Sequence, residues 1–209
     1  MHKYIFLFPL LLVFTFSCNA HATRSVSLVM PLSVSGVGTA SQTGYADSEI
    51  DIDYTGVGFR YEEKTDSVGI GVEFTSSANY AEKDDEFEKE ASGTEVGVFA
   101  RKYWSIGRHI DVYHARPGQA LIFVEAGTML GLGYQPNDNT GVDYETSGAY
   151  TNLKLAVGSR IDFNESMFAE LSAGLIQTIS PATTEVGEDV FIDTSTSAFG
   201  FNVGLGMNF

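Results

Sequence analysis

The chain has 209 residues, room for one domain, and carries 12 Lys+Arg against 27 Asp+Glu, a net charge of −15. That acidity excludes a nucleic-acid binder, which needs a basic face for the phosphates. An apolar content of 44% excludes a disordered chain, and 22 Gly, 10 Tyr and 15 Phe with only 5 Pro make a β composition.

Residues 1–22 read as a secretory signal peptide. Met1-His2-Lys3 is a short basic start, Tyr4 to Phe16 is an almost unbroken apolar stretch, and Ala20-His21-Ala22 offers a small-x-small cleavage site. The apolar stretch is too short to span a bilayer as a helix, which argues against an uncleaved anchor. A lipoprotein signal at Cys18 would want an aliphatic residue where Thr15 stands. The mature domain, residues 23–209, then keeps no cysteine and no disulfide.

No apolar run of helix-spanning length follows. Strict two-residue alternation recurs instead, the signature of half-apolar strands. Val26, Leu28, Met30, Leu32 and Val34 form one apolar face, opposite Ser25, Ser27, Val29, Pro31 and Ser33. Thr55, Val57, Phe59 and Tyr61 form a second, Val68, Ile70, Val72 and Phe74 a third, and Val96, Val98, Ala100 and Trp104 a fourth. Then come Ile122 to Leu132, Leu153 to Phe163, and Ala169 to Leu175, each alternating in the same way. The last strand places Phe199, Phe201, Val203, Leu205, Met207 and Phe209 on one face against Gly200, Asn202, Gly204, Gly206 and Asn208. Eight strands of about ten residues each are expected.

Connections alternate in character. Glu62 to Asp66, Ser105 to Gln119 and Asn164 to Ser166 are compact or comparatively neutral, whereas those near 36–53, 77–93, 135–149 and 180–197 are long and acidic. Long loops at one end, shorter turns at the other and an even strand count are the pattern of an outer-membrane barrel, with both termini periplasmic. A soluble sandwich is the competing fold. Its water-facing side would be rich in Lys, Glu and Thr, but the polar face here is mostly Gly, Ser, Asn and Ala, which suit a cramped barrel interior. Tyr61, Tyr103, Trp104, Phe163 and Phe209 stand near the short-turn ends, where an interfacial aromatic girdle is expected.

The mature chain thereby resembles the OmpA/OmpX-type small outer-membrane barrels, including the broad porin-like outer membrane protein β-barrel group. The most specific point is the C-terminal strand from Phe199 to Phe209, which looks like the signal read by the barrel-assembly machinery. Phe99-Ala-Arg-Lys-Tyr103 and Phe123-Val-Glu-Ala-Gly127 are similar to the Arg-x-Tyr and Phe-x-Glu-x-Gly strand pair of that group. The turn between them, 105–119, departs from the pattern by its length. The resemblance implies an all-β, eight-stranded antiparallel up-and-down barrel in the cell outer membrane, in contact with lipid and lipopolysaccharide after passage through the export machinery. It does not imply the anchoring role of members with a second, peptidoglycan-binding domain.

Alternation turns nine charges inward: Arg60, Glu73, Glu95, Arg101, Glu125, Lys154, Arg160, Asp162 and Glu170. Buried charges persist only when paired, so an ion-pair network plugging the lumen is expected. The functional alternative is a narrow ion path gated by Glu73, Glu95 and Lys154, or lateral passage of small or hydrophobic solutes between strands. Catalysis is not expected. A His-activated nucleophile needs an imidazole, and the mature chain has only His109 and His114, both in the 105–119 turn, so lipid A modification is the weakest alternative. No cofactor is expected either, and His109, Asp111 and His114 lack a fourth ligand for a metal. The acidic run Glu82, Asp84, Asp85, Glu86, Glu88 and Glu90 matches no dedicated calcium loop. Its ordinary role is a solvated, self-repelling surface, and its functional alternatives are cation bridging to lipopolysaccharide or recognition of a basic host or surface ligand. Protein recovered from membranes should have the intact mass of residues 23–209; a mass that retains residues 1–22 would refute the cleavage.

Overall fold

The computed structural model describes residues 22–42, 48–83, 87–110, 117–137, 145–146, 149–185 and 191–209. Ala20, the first residue of the cleavage motif, lies outside them, and Ala22 stands just before the first strand. Eight long strands form the wall: β1 (Thr23–Gln42), β2 (Ser48–Thr65), β3 (Val68–Lys83), β4 (Phe87–Ile110), β5 (Pro117–Asn137), β7 (Tyr150–Asp162), β8 (Met167–Ser180) and β10 (Phe191–Asn208). Two short strands, β6 (Glu145–Thr146) and β9 (Ala182–Glu185), extend the sheet beside β10. Each long strand pairs antiparallel with its sequence neighbour, and β10 pairs with β1 from Ser25↔Asn208 to Gln42↔Ile192, which closes the barrel. Closure leaves no long free edge, the only arrangement of strands that hydrocarbon tolerates. The start of β1, the end of β10 and the turns at 66–67 and 163–166 share one end, where Phe209 donates its N–H to the Arg24 carbonyl at 2.9 Å.

Period-two patterning produces the two faces directly. Outside stands an apolar band that includes Leu28, Val57, Phe59, Phe74, Val96, Val124, Leu155, Val157, Leu171, Phe201 and Leu205, with Phe59 at 52% exposure and Leu205 at 58%. Inside stand Phe99, Tyr103, Leu121, Phe123, Met129, Tyr150 and Phe168 together with the charges. Glycines on adjoining strands make room for these rings. A Cβ on Gly158 would overlap the Phe123 ring, and one on Gly206 the Phe168 ring.

Four expectations need correcting. The strands run 13 to 24 residues rather than about ten, and pairing continues well into the stretches assigned to acidic loops. Residues 50–54, Ile-Asp-Ile-Asp-Tyr, alternate like any strand, and ladder hydrogen bonds hold them against Val34 to Gly38. The 105–119 connection is likewise largely strand, since β4 and β5 stay paired from Ser105↔Leu121 to Ile110↔Pro117. Residues 111–116, with Asp111 and His114, lie outside the described residues.

Val34 faces inward, 5% exposed, not outward. The pairing with β10 steps from Pro31↔Asn202 to Ser33↔Phe201, so Leu32 is an extra, bulged residue that reverses the alternation beyond it. Proline brings no N–H to the ladder. On the other side, β1 and β2 stop pairing at Val29↔Gly58 and resume at Val34↔Tyr54, so four residues of β1 oppose three of β2. The fourth correction is Tyr103, which is 2% exposed inside the barrel rather than part of an outer girdle. It shares parity with Arg101, two residues before it. Trp104 and Phe163 do face outward.

Leu205→Arg should lower unfolding stability in lipid vesicles by roughly 2–4 kcal/mol, the cost of a cation on a lipid face. A change within about 0.5 kcal/mol, the norm for a water-facing surface, would contradict that environment.

Candidate functional site: the charged interior

Three ion pairs arise from strand register alone. Arg60 lies opposite Glu73, Arg101 opposite Glu125, and Arg160 opposite Glu170. Within the first two pairs Arg60 Nε donates to Glu73 Oε2 at 2.8 Å and Arg101 Nε to Glu125 Oε2 at 2.7 Å. Arg160 instead gives Nε to Asp162 at 2.8 Å and Nη2 to Asn208 at 2.7 Å, with Nη1 3.8 Å from Glu170.

The barrel's curvature then brings non-neighbouring strands together. Arg101 Nη1 reaches Glu170 Oε1 at 2.9 Å and Glu62 Oε2 at 3.3 Å, while Arg60 spans to Glu125 at 3.3 and 3.4 Å. Lys154 Nζ sits 3.0 and 3.1 Å from the Glu73 oxygens and 3.4 Å from Glu125. Aromatic rings carry the guanidinium faces: Arg160 lies 3.6 Å over Phe168, and Arg101 4.3 Å over Phe123 and 5.0 Å over Phe99. Arg101 Nη2 and Arg160 Nη1 are buried with no hydrogen-bond acceptor among the described protein atoms.

All nine inward charges therefore occupy one interior. Eight are buried and Asp162 is half-buried at its edge. Glu95 stands apart from the ion pairs. It accepts from Asn152 Nδ2 at 3.0 Å and from Tyr150, and Asn152 is itself oriented by Thr178 Oγ1 at 3.0 Å.

Two members of the network fell outside the sequence prediction, Glu62 and Tyr103. Tyr103 donates to Glu62 at 2.7 Å and accepts from Arg101 Nη1 at 3.1 Å. The signal was present: β2 continues in register to Thr65, so Glu62 keeps the parity of Arg60 instead of belonging to a turn. Of the acidic run, Glu82, Glu88 and Glu90 lie on the paired backbones of β3 and β4, whereas Asp84, Asp85 and Glu86 lie outside the described residues. His109 is on β4 opposite Gly118. Among the described residues no three His, Cys, Asp or Glu side chains are grouped to hold a metal ion. What the interior can do chemically is neutralise charge and hold strands in place.

A closed eight-stranded antiparallel meander is the fold of the small outer-membrane β-barrels. Among solved structures, the outer membrane protein OprG from Pseudomonas aeruginosa shares it, with 9% identity over 90% of this chain and 97% of that one and a TM-score of 0.52. Two others are Neisserial surface protein A, at 9% identity over 89% and 97% with a TM-score of 0.42, and the attachment invasion locus protein Ail of Yersinia pestis, at 12% over 87% and 99% with 0.31. No protein-family model and no curated protein matches the sequence.

Glu125 is the shared ion-pair partner of Arg60, Arg101 and Lys154. Glu125→Gln and Arg101→Gln should each cost about 3–5 kcal/mol, because each leaves a buried partner charge uncompensated. A double-mutant cycle on vesicle-reconstituted protein should show the pair strongly coupled, and strictly additive losses would refute the pairing.

Proposed function

We propose that the protein is an integral outer-membrane barrel with a plugged lumen, both termini on the periplasmic side, and acidic segments displayed at the outer surface. Its role is non-enzymatic, in envelope integrity or in surface interaction such as adhesion. The observation that carries this is the continuous band of exposed Leu, Val and Phe around a closed sheet. Water-soluble monomers rarely expose apolar patches of more than a few hundred Å², whereas lipid requires such a band. An eight-stranded lumen is just wide enough for side chains to fill, and here rings and ion pairs fill the half near the short turns. The strand Phe199–Phe209, with Phe199, Phe201, Leu205, Met207 and Phe209 outward, supports recognition by the assembly machinery. The expected partners are outer-membrane lipid, lipopolysaccharide and a host or surface ligand.

A second role is passage of small or hydrophobic solutes through a narrow lumen or between strands. It draws on the interrupted β1–β2 pairing, which borders an interior cavity lined by Val29, Pro31, Val34, Thr55, Gly56 and Gly58 among others.

Unboiled protein from isolated outer membranes should migrate differently from boiled protein in mild SDS, and planar bilayers should show no well-defined pores. Deleting residues 84–90 should abolish surface binding under the first role while leaving or raising solute flux under the second. Co-migration, with the protein in the soluble periplasmic fraction, would overturn both.

A further inference from the structure

The wall has an open seam between β1 and β2. The two strands form no ladder pair between Val29↔Gly58 and Val34↔Tyr54, where Met30 to Ser33 stand against Thr55 to Val57. Four residues do not match three, and the extra one is Leu32, which is bulged out of the ladder with β10 as well. Pro31, inside the run, has no N–H to offer across the gap.

The seam connects outside to inside. Thr55 is exposed on the outer side of β2, as are Val57 and Phe59, yet it also lines the cavity of about 60 Å³ within the barrel. Pro31 and Gly56 line the same cavity, together with the buried side chains of Val29, Val34 and Met129 and with Ile176. The charged groups on its wall are already engaged: Glu73 holds Arg60 and Lys154, and Glu95 accepts from Asn152 and Tyr150. They call for no charged guest.

Depth decides what stands at the mouth. On β2, Tyr61 and Glu63 bound the apolar band at the short-turn end, where Tyr61 donates to Glu63 and Glu63 pairs with Arg24. A strand tilted by about 40° climbs ~2.5 Å per residue, so Val57 and Thr55 lie roughly 10–15 Å above Tyr61, near the middle of a band about 25 Å tall. Leu32, at 63% exposure, faces the same surroundings. The ends of lipid chains meet at that depth. The cavity has room for roughly two methylene-sized groups, enough for the end of a chain and too little for a whole solute.

We propose that the β1–β2 seam is a lateral seat for one acyl chain of a membrane lipid, whose terminal carbons pass between Leu32 and Thr55 and lie against Val29, Val34, Met129 and Ile176. The seat deepens the lateral opening described above, and it rests on the reading of the outer band as lipid-facing. It is a dead end, because toward the short turns Arg60, Glu73, Glu125 and Lys154 fill the interior.

The test uses the full-length mature barrel in vesicles of dimyristoyl phosphatidylcholine containing a phosphatidylcholine with a diazirine at the end of one chain. Heat-dependent gel mobility is the control for folding. After illumination, wild type should carry adducts on Val29, Val34, Met129 or Ile176 as well as on outward residues such as Leu205. Deleting Leu32 sets three residues against three and restores a single register in both ladders of β1, so interior adducts should be lost while outward ones persist. Val34→Phe, which fills the seat and leaves the ladders alone, should give the same loss. Interior adducts undiminished in the folded deletion variant, or outward adducts alone in folded wild type, would overturn the seat and leave the membrane barrel standing. No adducts at all, with the protein recovered outside the vesicles, would overturn both.

Discussion

Opposed Arg–Glu pairs on neighbouring strands govern the interior of this barrel. Arg60 and Glu73, Arg101 and Glu125, and Arg160 and Glu170 are each in direct register. A slip of one residue in any of these ladders would turn an arginine onto the apolar exterior and leave its carboxylate partner buried alone. Such pairs contribute little net stability over well-packed apolar residues of the same volume. Their effect is on choice of register, because every alternative pairing is penalised by an uncompensated charge.

From that constraint the rest of the packing follows. Once the guanidinium groups are held inward, their flat faces need apolar support, and Phe99, Phe123 and Phe168 supply it from the same parity of their strands. Those rings in turn need space on the facing strands, which Gly158 and Gly206 leave open. Tyr103 joins the two kinds of packing, tilted 58° against Phe123 while its hydroxyl bonds Glu62. The ion pairs, the rings and the glycines are one arrangement distributed over seven strands.

Away from this packed region the wall is less regular. The bulge at Leu32 and the interrupted β1–β2 pairing lie where the interior widens into the cavity bounded by Val29, Pro31, Val34 and Glu95. Irregular backbone at membrane depth is tolerated where it lines an interior space instead of lipid. The bulge and the cavity thus belong together: the bulge turns Val34 inward, and Val34 forms part of the cavity wall.

Much of this was legible in the amino-acid order. Alternation has a period of two, so the outward face of Phe199 to Phe209 and the inward face of Arg60, Glu73, Arg101 and Glu125 follow from counting, and glycine-rich inner faces point to a narrow barrel instead of a sandwich. Counting fails where parity breaks or where an element is taken to stop too soon. Leu32 reverses the alternation without a local signal beyond Pro31, the polar residues Glu62 to Asp66 resemble a turn although β2 stays paired through Thr65, and clustered acids in 77–93 resemble a loop although ladder hydrogen bonds extend the strands through them. Sequence by itself determined which residues face in and which face out along every unbroken stretch of strand, because that depends only on neighbours two positions apart; beyond the Leu32 bulge it did not. Only the closed tertiary structure decided that Arg101 meets Glu170, that Lys154 meets Glu73, and that Asn152 donates to Glu95, because those contacts cross the lumen and depend on barrel curvature and stagger.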